Sequence, residues 1–217
     1  MDTEQARFNM IEQQIRTWEV LDQEVLDLLF KIKRECFVPE KWRALAFADL
    51  EIPLGQGQSM WPPKLEARVL QELSIQKTDT VLEIGTGSGY LTALLAAKAR
   101  QVHSVEIIPE FSKQAALTLK NEGVHNVTLE TGDAARGWNQ GVPYDVIVLT
   151  GSVPLLPEVF QQALKPGGRL FAIVGDAPVM KARLITCMAP GTCNAVDIFE
   201  TCIPALINAP QPERFIF

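Results

Sequence analysis

Apolar side chains recur at steps of three and four through residues 4–34: Phe8, Ile11, Ile15 and Trp18, then Val25, Leu28, Leu29 and Ile32. That spacing gives two helices, each with one buried face. The period stops over 37–63, FVPEKWRALAFADLEIPLGQGQSMWPP, where Pro and Gly accumulate and a structured loop is expected. Pro62 and Pro63 suit the first turn of a further helix that runs to Leu73.

From Thr80 the pattern changes. Short apolar runs (TVLEI, QVHSVEI, VTLET, YDVIVLT, RLFAIVG) alternate with stretches of helical spacing (YLTALLAAKA, PEFSKQAALTLKNEG, LLPEVFQQALK). Strands separated by helices build a parallel sheet covered on both faces. VIVL is apolar at every position, as a central strand must be when both its faces are buried. After Gly175, KARLITCMA and NAVDIFETCI read as a terminal antiparallel pair. The expected fold is α/β: a doubly wound, mostly parallel seven-stranded sheet with an N-terminal helical addition and an antiparallel terminal strand pair. No repeat, low-complexity tract or flexible linker interrupts the chain. It reads as one domain over 1–217, with the helical addition and a loop in 1–75 and the α/β core in 76–217.

In an open α/β sheet, ligands sit beyond the carboxyl ends of the strands, near the switch in strand order. The strand TVLEI runs into Gly85, Thr86, Gly87, Ser88 and Gly89 and then a helix. Glycines let the backbone take unusual angles and let a ligand approach closely. The pattern is GxGxG, not the GxGxxG of a dinucleotide pyrophosphate site, and a tight strand–helix turn would also account for it. Two acids narrow the reading. Glu106 ends the second strand about twenty residues beyond the loop, where a carboxylate accepts both hydroxyls of a ribose. Asp133 follows the third strand on the same sheet edge, within reach of an adenine amino group. Each acid alone also reads as a surface carboxylate at a strand end.

Composition narrows the classes further. The chain has 217 residues, 47% apolar and 21% charged, enough for a sizeable core in one domain with modest additions. A net charge of −6 argues against a nucleic-acid partner. The four cysteines (36, 187, 193 and 202) lack CxxC spacing, and only His103 and His125 could join them. No metal is expected, and the cysteines are read as reduced thiols. The opening segment MDTEQARFNMIEQQIR lacks the apolar core of a secretory signal, and no apolar run approaches the ~20 residues that span a bilayer. A cytoplasmic protein with no membrane partner is expected. Nothing in the sequence sets an oligomeric state.

VLEIGTGSGY, SVEIIPE, the GD of TGDAARGW, PYDVIVLTGSVP and LKPGGRL resemble, in order and spacing, the class I S-adenosylmethionine-dependent methyltransferases, with their Rossmann-like fold. With MIEQQIR, FVPE and LAFADLEIPLGQGQS upstream, the chain more narrowly resembles the protein-L-isoaspartate O-methyltransferase family over about residues 5–175. The resemblance implies S-adenosyl-L-methionine as cofactor and an isoaspartyl-bearing protein or peptide as partner. It implies that Glu83, Gly85, Thr86, Gly87, Glu106, Ile107, Asp133 and Ala134 hold the cofactor. The glycine loop would lie under its methionine portion, Glu106 at the ribose and Asp133 near the adenine. Gln58, Ser59 and Met60 would close over the methyl donor, with Ser59 and Trp61 toward the acceptor. The loop after the fourth strand, from Thr150, ends at the same edge and either lines the acceptor site or is a simple strand-to-helix turn.

One position departs from the family. Its loop reads approximately G-Q-T-I-S-x-P, with the final serine usually assigned the active-site role, and the ungapped counterpart here is Trp61. Trp61 stacks against an acceptor, faces the sulfonium through a cation–π contact, plugs the pocket, or packs on the helical addition. A carboxylate acceptor is already ionised and needs no base, so no residue is assigned as catalytic. Three functions follow: methylation of isoaspartyl carboxylates, methylation of another acceptor, or cofactor binding without turnover.

Overall fold

The structure, a computed structural model, describes residues 2–141, 143–189 and 191–213. Helix α1 (Thr3–Asn9) runs on through a wide π turn (Met10–Ile15) and a tight turn (Arg16–Trp18), and α2 spans Gln23–Lys31. Both begin at an aspartate, Asp2 and Asp22, whose carboxylate accepts from first-turn amides. The stretch expected as loop holds short 3-10 turns and a small hairpin, β1 (Ile52–Gly55) against β2 (Gln58–Met60). Gln56 and Gly57 turn it with φ of 51° and 74°, a geometry whose twist suits a two-residue connection. Helix α3 (Pro63–Leu73) begins and ends as its prolines and apolar spacing predict.

The main sheet has seven strands: β3 (Thr80–Ile84), β4 (Gln101–Glu106), β5 (Val127–Thr131), β6 (Tyr144–Val153), β7 (Leu164–Asp176), β8 (Val179–Ala189) and β9 (Thr192–Thr201). Their order is β5-β4-β3-β6-β7-β8-β9. The first five are parallel, and β8 and β9 add antiparallel at one edge. Helices α4 (Tyr90–Lys98), α5 (Pro109–Asn121) and α6 (Glu158–Gln162) connect the parallel strands. Helix α6 is shorter than its sequence pattern suggests, because Leu164 already pairs with Tyr144 as the start of β7. The chain steps outward from β3 through β4 to β5, then returns to β6 on the other side of β3. That reversal opens a crevice at the carboxyl ends of β3, β4 and β6.

Two apolar layers cover the sheet. On one face, Ile11, Ile15 and Leu26 of the N-terminal helices and Leu70 and Leu94 of α3 and α4 pack with Val81, Val146 and Phe171. The other face joins Leu82, Ile147, Leu149 and Leu170 to Phe160 of α6. The cysteine expectation needs a correction. Cys187 and Cys193 are register partners across β8 and β9, with Cα atoms 4.0 Å apart, and they form a disulfide, while Cys36 and Cys202 are free. Pairing follows from strand register, which a spacing of six does not reveal. No helix of the described residues is long and apolar enough to cross a membrane.

Candidate active site

The turn after β3 is forced by its neighbours. Gly85 takes φ +98°, and a Cβ there would lie 2.2 Å from Thr150 Oγ1. That hydroxyl, at the tip of β6, donates to the carbonyls of Ile84 (2.9 Å) and Gly85 (2.7 Å), tying two strand ends together. Glu106 closes the loop from the other side. Its Oε2 accepts from the Gly87 amide at 2.8 Å and its Oε1 from the Ile108 amide at 3.0 Å. A carboxylate bound by two amides is fixed in orientation before any ligand arrives.

Beyond these tips lies an open cleft whose space, counted out to its solvent mouth, is about 660 Å³. Gly85, Gly87 and Thr150 form its floor, and Glu106 and Ile107 one wall. Asp133 and Ala134, which follow β5, line it too, as do Gln58 and Ser59 of the hairpin and Trp61 just after it. Asp133 is held through both oxygens, Oδ1 accepting from the Ala135 amide (3.1 Å) and Oδ2 from Asn208 Nδ2 (2.8 Å). A second chamber of about 340 Å³ opens beside the first and shares Leu54, Ser59, Trp61, Gly85, Gly87 and Thr150 with it. Met60 and Thr86 line this second chamber only.

Glu83 is placed differently from its expected cofactor contact. It has no exposed surface and lines neither chamber. Its Oε2 accepts from Thr92 Oγ1 (2.5 Å) and Ser104 Oγ (2.6 Å), and Ser104 in turn meets the Thr86 hydroxyl at 2.6 Å. Every residue of β3 is buried, so an acid there faces the layer of helices beneath the loop. Burial pushes its carboxyl up to about 8.

Comparison with known proteins identifies the group. The profile described as protein-L-isoaspartate(D-aspartate) O-methyltransferase matches residues 5–189. The chain belongs to the protein-L-isoaspartate(D-aspartate) O-methyltransferase family. A Petrotoga mobilis protein named protein-L-isoaspartate O-methyltransferase is 35% identical over 204 residues, 94% of this chain and 95% of its own. One from Anaeromyxobacter dehalogenans is 42% identical, covering 88% of this chain and 92% of its own. A solved protein-L-isoaspartate O-methyltransferase superimposes with a TM-score of 0.79 at 25% identity, over 92% of this chain and 65% of that longer one. A Plasmodium falciparum structure titled as a putative member, in complex with S-adenosyl-L-homocysteine, gives a TM-score of 0.78 at 17% identity, over 95% and 99%, and shows the shared fold.

Trp61, which the ungapped reading of the loop sets against the family's serine, lies inside this site. Its indole is 5% exposed, stands edge-on to Phe171 at 6.3 Å and walls both chambers. Its carbonyl accepts from Arg34 Nη2 at 2.6 Å. Sequence reasoning missed two parts of the site. Pro204, Leu206 and Ile207 cross the main cleft, held because Ser152 donates to Pro204 and Leu206 donates to Ser152 through backbone bonds of 3.0 and 2.9 Å. No sequence pattern signals that contact. Glu66 lines the second chamber and pairs with buried Arg34. Here a signal existed: an acid sits on the same helical stripe as Leu70 and Leu73, which face the core.

Proposed function

We propose that the protein transfers a methyl group from S-adenosyl-L-methionine to a carboxylate of isoaspartyl residues in proteins or peptides. It would act as one domain, with the donor cradle in 76–217 and the acceptor loop in 1–75. The observation that carries this reading is the meeting, at one cleft, of the glycine turn, Glu106 and Asp133 from the tips of β3, β4 and β5 in a chain of this family.

The residues present fit the donor. Gly85 leaves a space that any side chain would fill, so a ligand can lie against the backbone. Glu106, oriented by two amides, keeps lone pairs for ribose hydroxyls. Asp133 lines the same cleft, where an exocyclic amine can donate to it. When bound, the donor supplies a methyl group on a cationic sulfur. The chain then has to align that carbon with the acceptor oxygen and keep water out. Orientation of this kind is worth about 7–11 kcal/mol of a barrier. Leu54, Trp61 and Leu206 supply the apolar cover. The acceptor carboxylate is ionised at neutral pH, so no side chain has to remove a proton. A cytoplasmic setting is part of this proposal.

Purified protein incubated with methyl-labelled donor and an isoaspartyl peptide is expected to form a base-labile methyl ester. The same peptide with ordinary aspartate is the control, and equal labelling of both would defeat the proposal. A second reading, methyl transfer to a different acceptor, is favoured by Trp61 at the serine position. It predicts donor turnover with small-molecule acceptors and none with the isoaspartyl peptide.

A further inference from the structure

The second chamber shares Leu54, Ser59, Trp61, Gly85, Gly87 and Thr150 with the main cleft, and on the proposed reading Gly85 and Gly87 would lie beneath the methyl-bearing end of the donor. Its remaining walls are Met60, Thr86, Ser88, Leu91 and Glu66. Among the described residues, Glu66 is the one ionisable group on that lining. It sits in the first turn of α3 with 2% of its surface exposed. Arg34 Nη1 donates to Glu66 Oε2. The same guanidinium donates from Nε to the Ala46 carbonyl (2.9 Å) and from Nη2 to the Trp61 carbonyl. Arg34 therefore holds the carboxylate still without lining the chamber itself, and Glu66 Oε1 makes no hydrogen bond among the described residues.

We propose that this chamber receives the amino-acid arm of the donor and that Glu66 accepts a hydrogen bond from its α-ammonium group. The proposal rests on the donor reading above. An amino-acid arm leaves the sulfur carrying one cationic and one anionic end. The cation needs an acceptor inside the chamber, and an ammonium–carboxylate bond is among the stronger hydrogen bonds. Glu66 is a buried acceptor, fixed by Arg34, on the lining of a chamber that shares Gly85 and Gly87 with the main cleft. Burial pushes the Glu66 carboxyl up to about 8, against the pull of Arg34 and with a further push from Glu83, and Tyr90 also lies within its field.

The test is a calorimetric titration with three ligands: S-adenosylhomocysteine, its deaminated analogue that keeps the carboxylate, and 5′-methylthioadenosine, which lacks the arm. Wild-type protein is expected to bind the first roughly tenfold to a hundredfold more tightly than the second, as for a charged hydrogen bond. Glu66→Gln should erase that difference and leave 5′-methylthioadenosine affinity within about twofold of wild type. Equal affinity of wild type for S-adenosylhomocysteine and the deaminated analogue would overturn the proposal, and that comparison needs no variant to fold. A Glu66→Gln protein that still discriminates between them would overturn it too. If wild type binds none of the three, the donor reading itself falls and takes this one with it. Binding of 5′-methylthioadenosine with no gain from the arm removes only the Glu66 assignment.

Discussion

On the proposed reading, Trp61 is the side chain that sets the shape of the acceptor side of the cleft, since it lines both chambers. Its indole belongs to the core through Phe171 and to both chambers through its other surface, so its two roles separate by substitution. Trp61→Ser removes a buried aromatic ring and is expected to cost about 3–5 kcal/mol in denaturant unfolding. The same change merges the two chambers, and kcat/KM for a short isoaspartyl peptide is expected to rise about tenfold as a small polar group replaces the wall, the gain corresponding to about 1.4 kcal/mol. An unchanged kcat/KM would remove Trp61 from the acceptor site. Glu83 makes a different kind of prediction. Burial is the main cause of its raised carboxyl; Ser104 and Thr92 pull it down, and Glu106 pushes it further up. Its folded value of about 8 lies above the ordinary carboxylate value, so the unfolded chain ionises first. The stability it contributes is complete below the unfolded value and is lost as pH climbs through the folded one. Glu83→Gln keeps the shape and removes the ionisation. The wild type is expected to lose a few kcal/mol more than this variant between mildly acidic and mildly alkaline pH, measured by urea unfolding. Parallel pH profiles would mean that Glu83 ionises equally easily folded and unfolded.

At the scale of elements, the decisive junction is the strand–turn–helix of β3 and α4. Gly85→Ala brings a Cβ against Thr150 Oγ1, which is itself anchored to two carbonyls of the β3 tip, at a backbone angle that disfavours any side chain. The clash cannot relax through a flexible chain end, so the tips of β3 and β6 must part. Affinity for S-adenosylhomocysteine is expected to fall at least tenfold, the equivalent of about 1.4 kcal/mol. Titration of a folded Gly85→Ala protein with full affinity would contradict this. This junction was readable in the amino-acid order because a short, mostly apolar run, TVLEI, leads into three closely spaced glycines and then a stretch of helical spacing. The β1–β2 hairpin was not, because its turn depends on positive φ at Gln56 and Gly57 and its strands are too short to show alternation. The Cys187–Cys193 bond was hidden for a related reason, since only the register of β8 on β9 brings the two together. Glu83 was recognised as part of the loop machinery, but its side of the strand was not, since a strand buried on both faces carries no period to read.

At the scale of the whole molecule, the main cleft is lined by a segment far along the chain from the strands that build it. After β9 the backbone returns to the carboxyl edge of the sheet, where Ile203 and Ala209 are buried and Leu206 lies against the backbone of Gly151. Asn208 then reaches Asp133, so the carboxylate expected at the adenine is oriented from a second, sequence-distant side. Ending the chain after Thr201 removes this cover but none of the seven strands. The loss of Ile203 alone is worth about 1.5–3 kcal/mol of apolar burial, which a core of this size can absorb. The shortened protein is therefore expected to keep its circular dichroism and a cooperative unfolding transition, while S-adenosylhomocysteine binding weakens at least tenfold, about 1.4 kcal/mol. Asn208→Ala isolates the polar part: it leaves Leu206 and Ile203 in place and is expected to weaken binding several-fold through a less ordered Asp133. If both proteins bind as tightly as the full chain, the terminal segment packs beside the donor without holding it, and the cleft between β4 and β6 suffices alone.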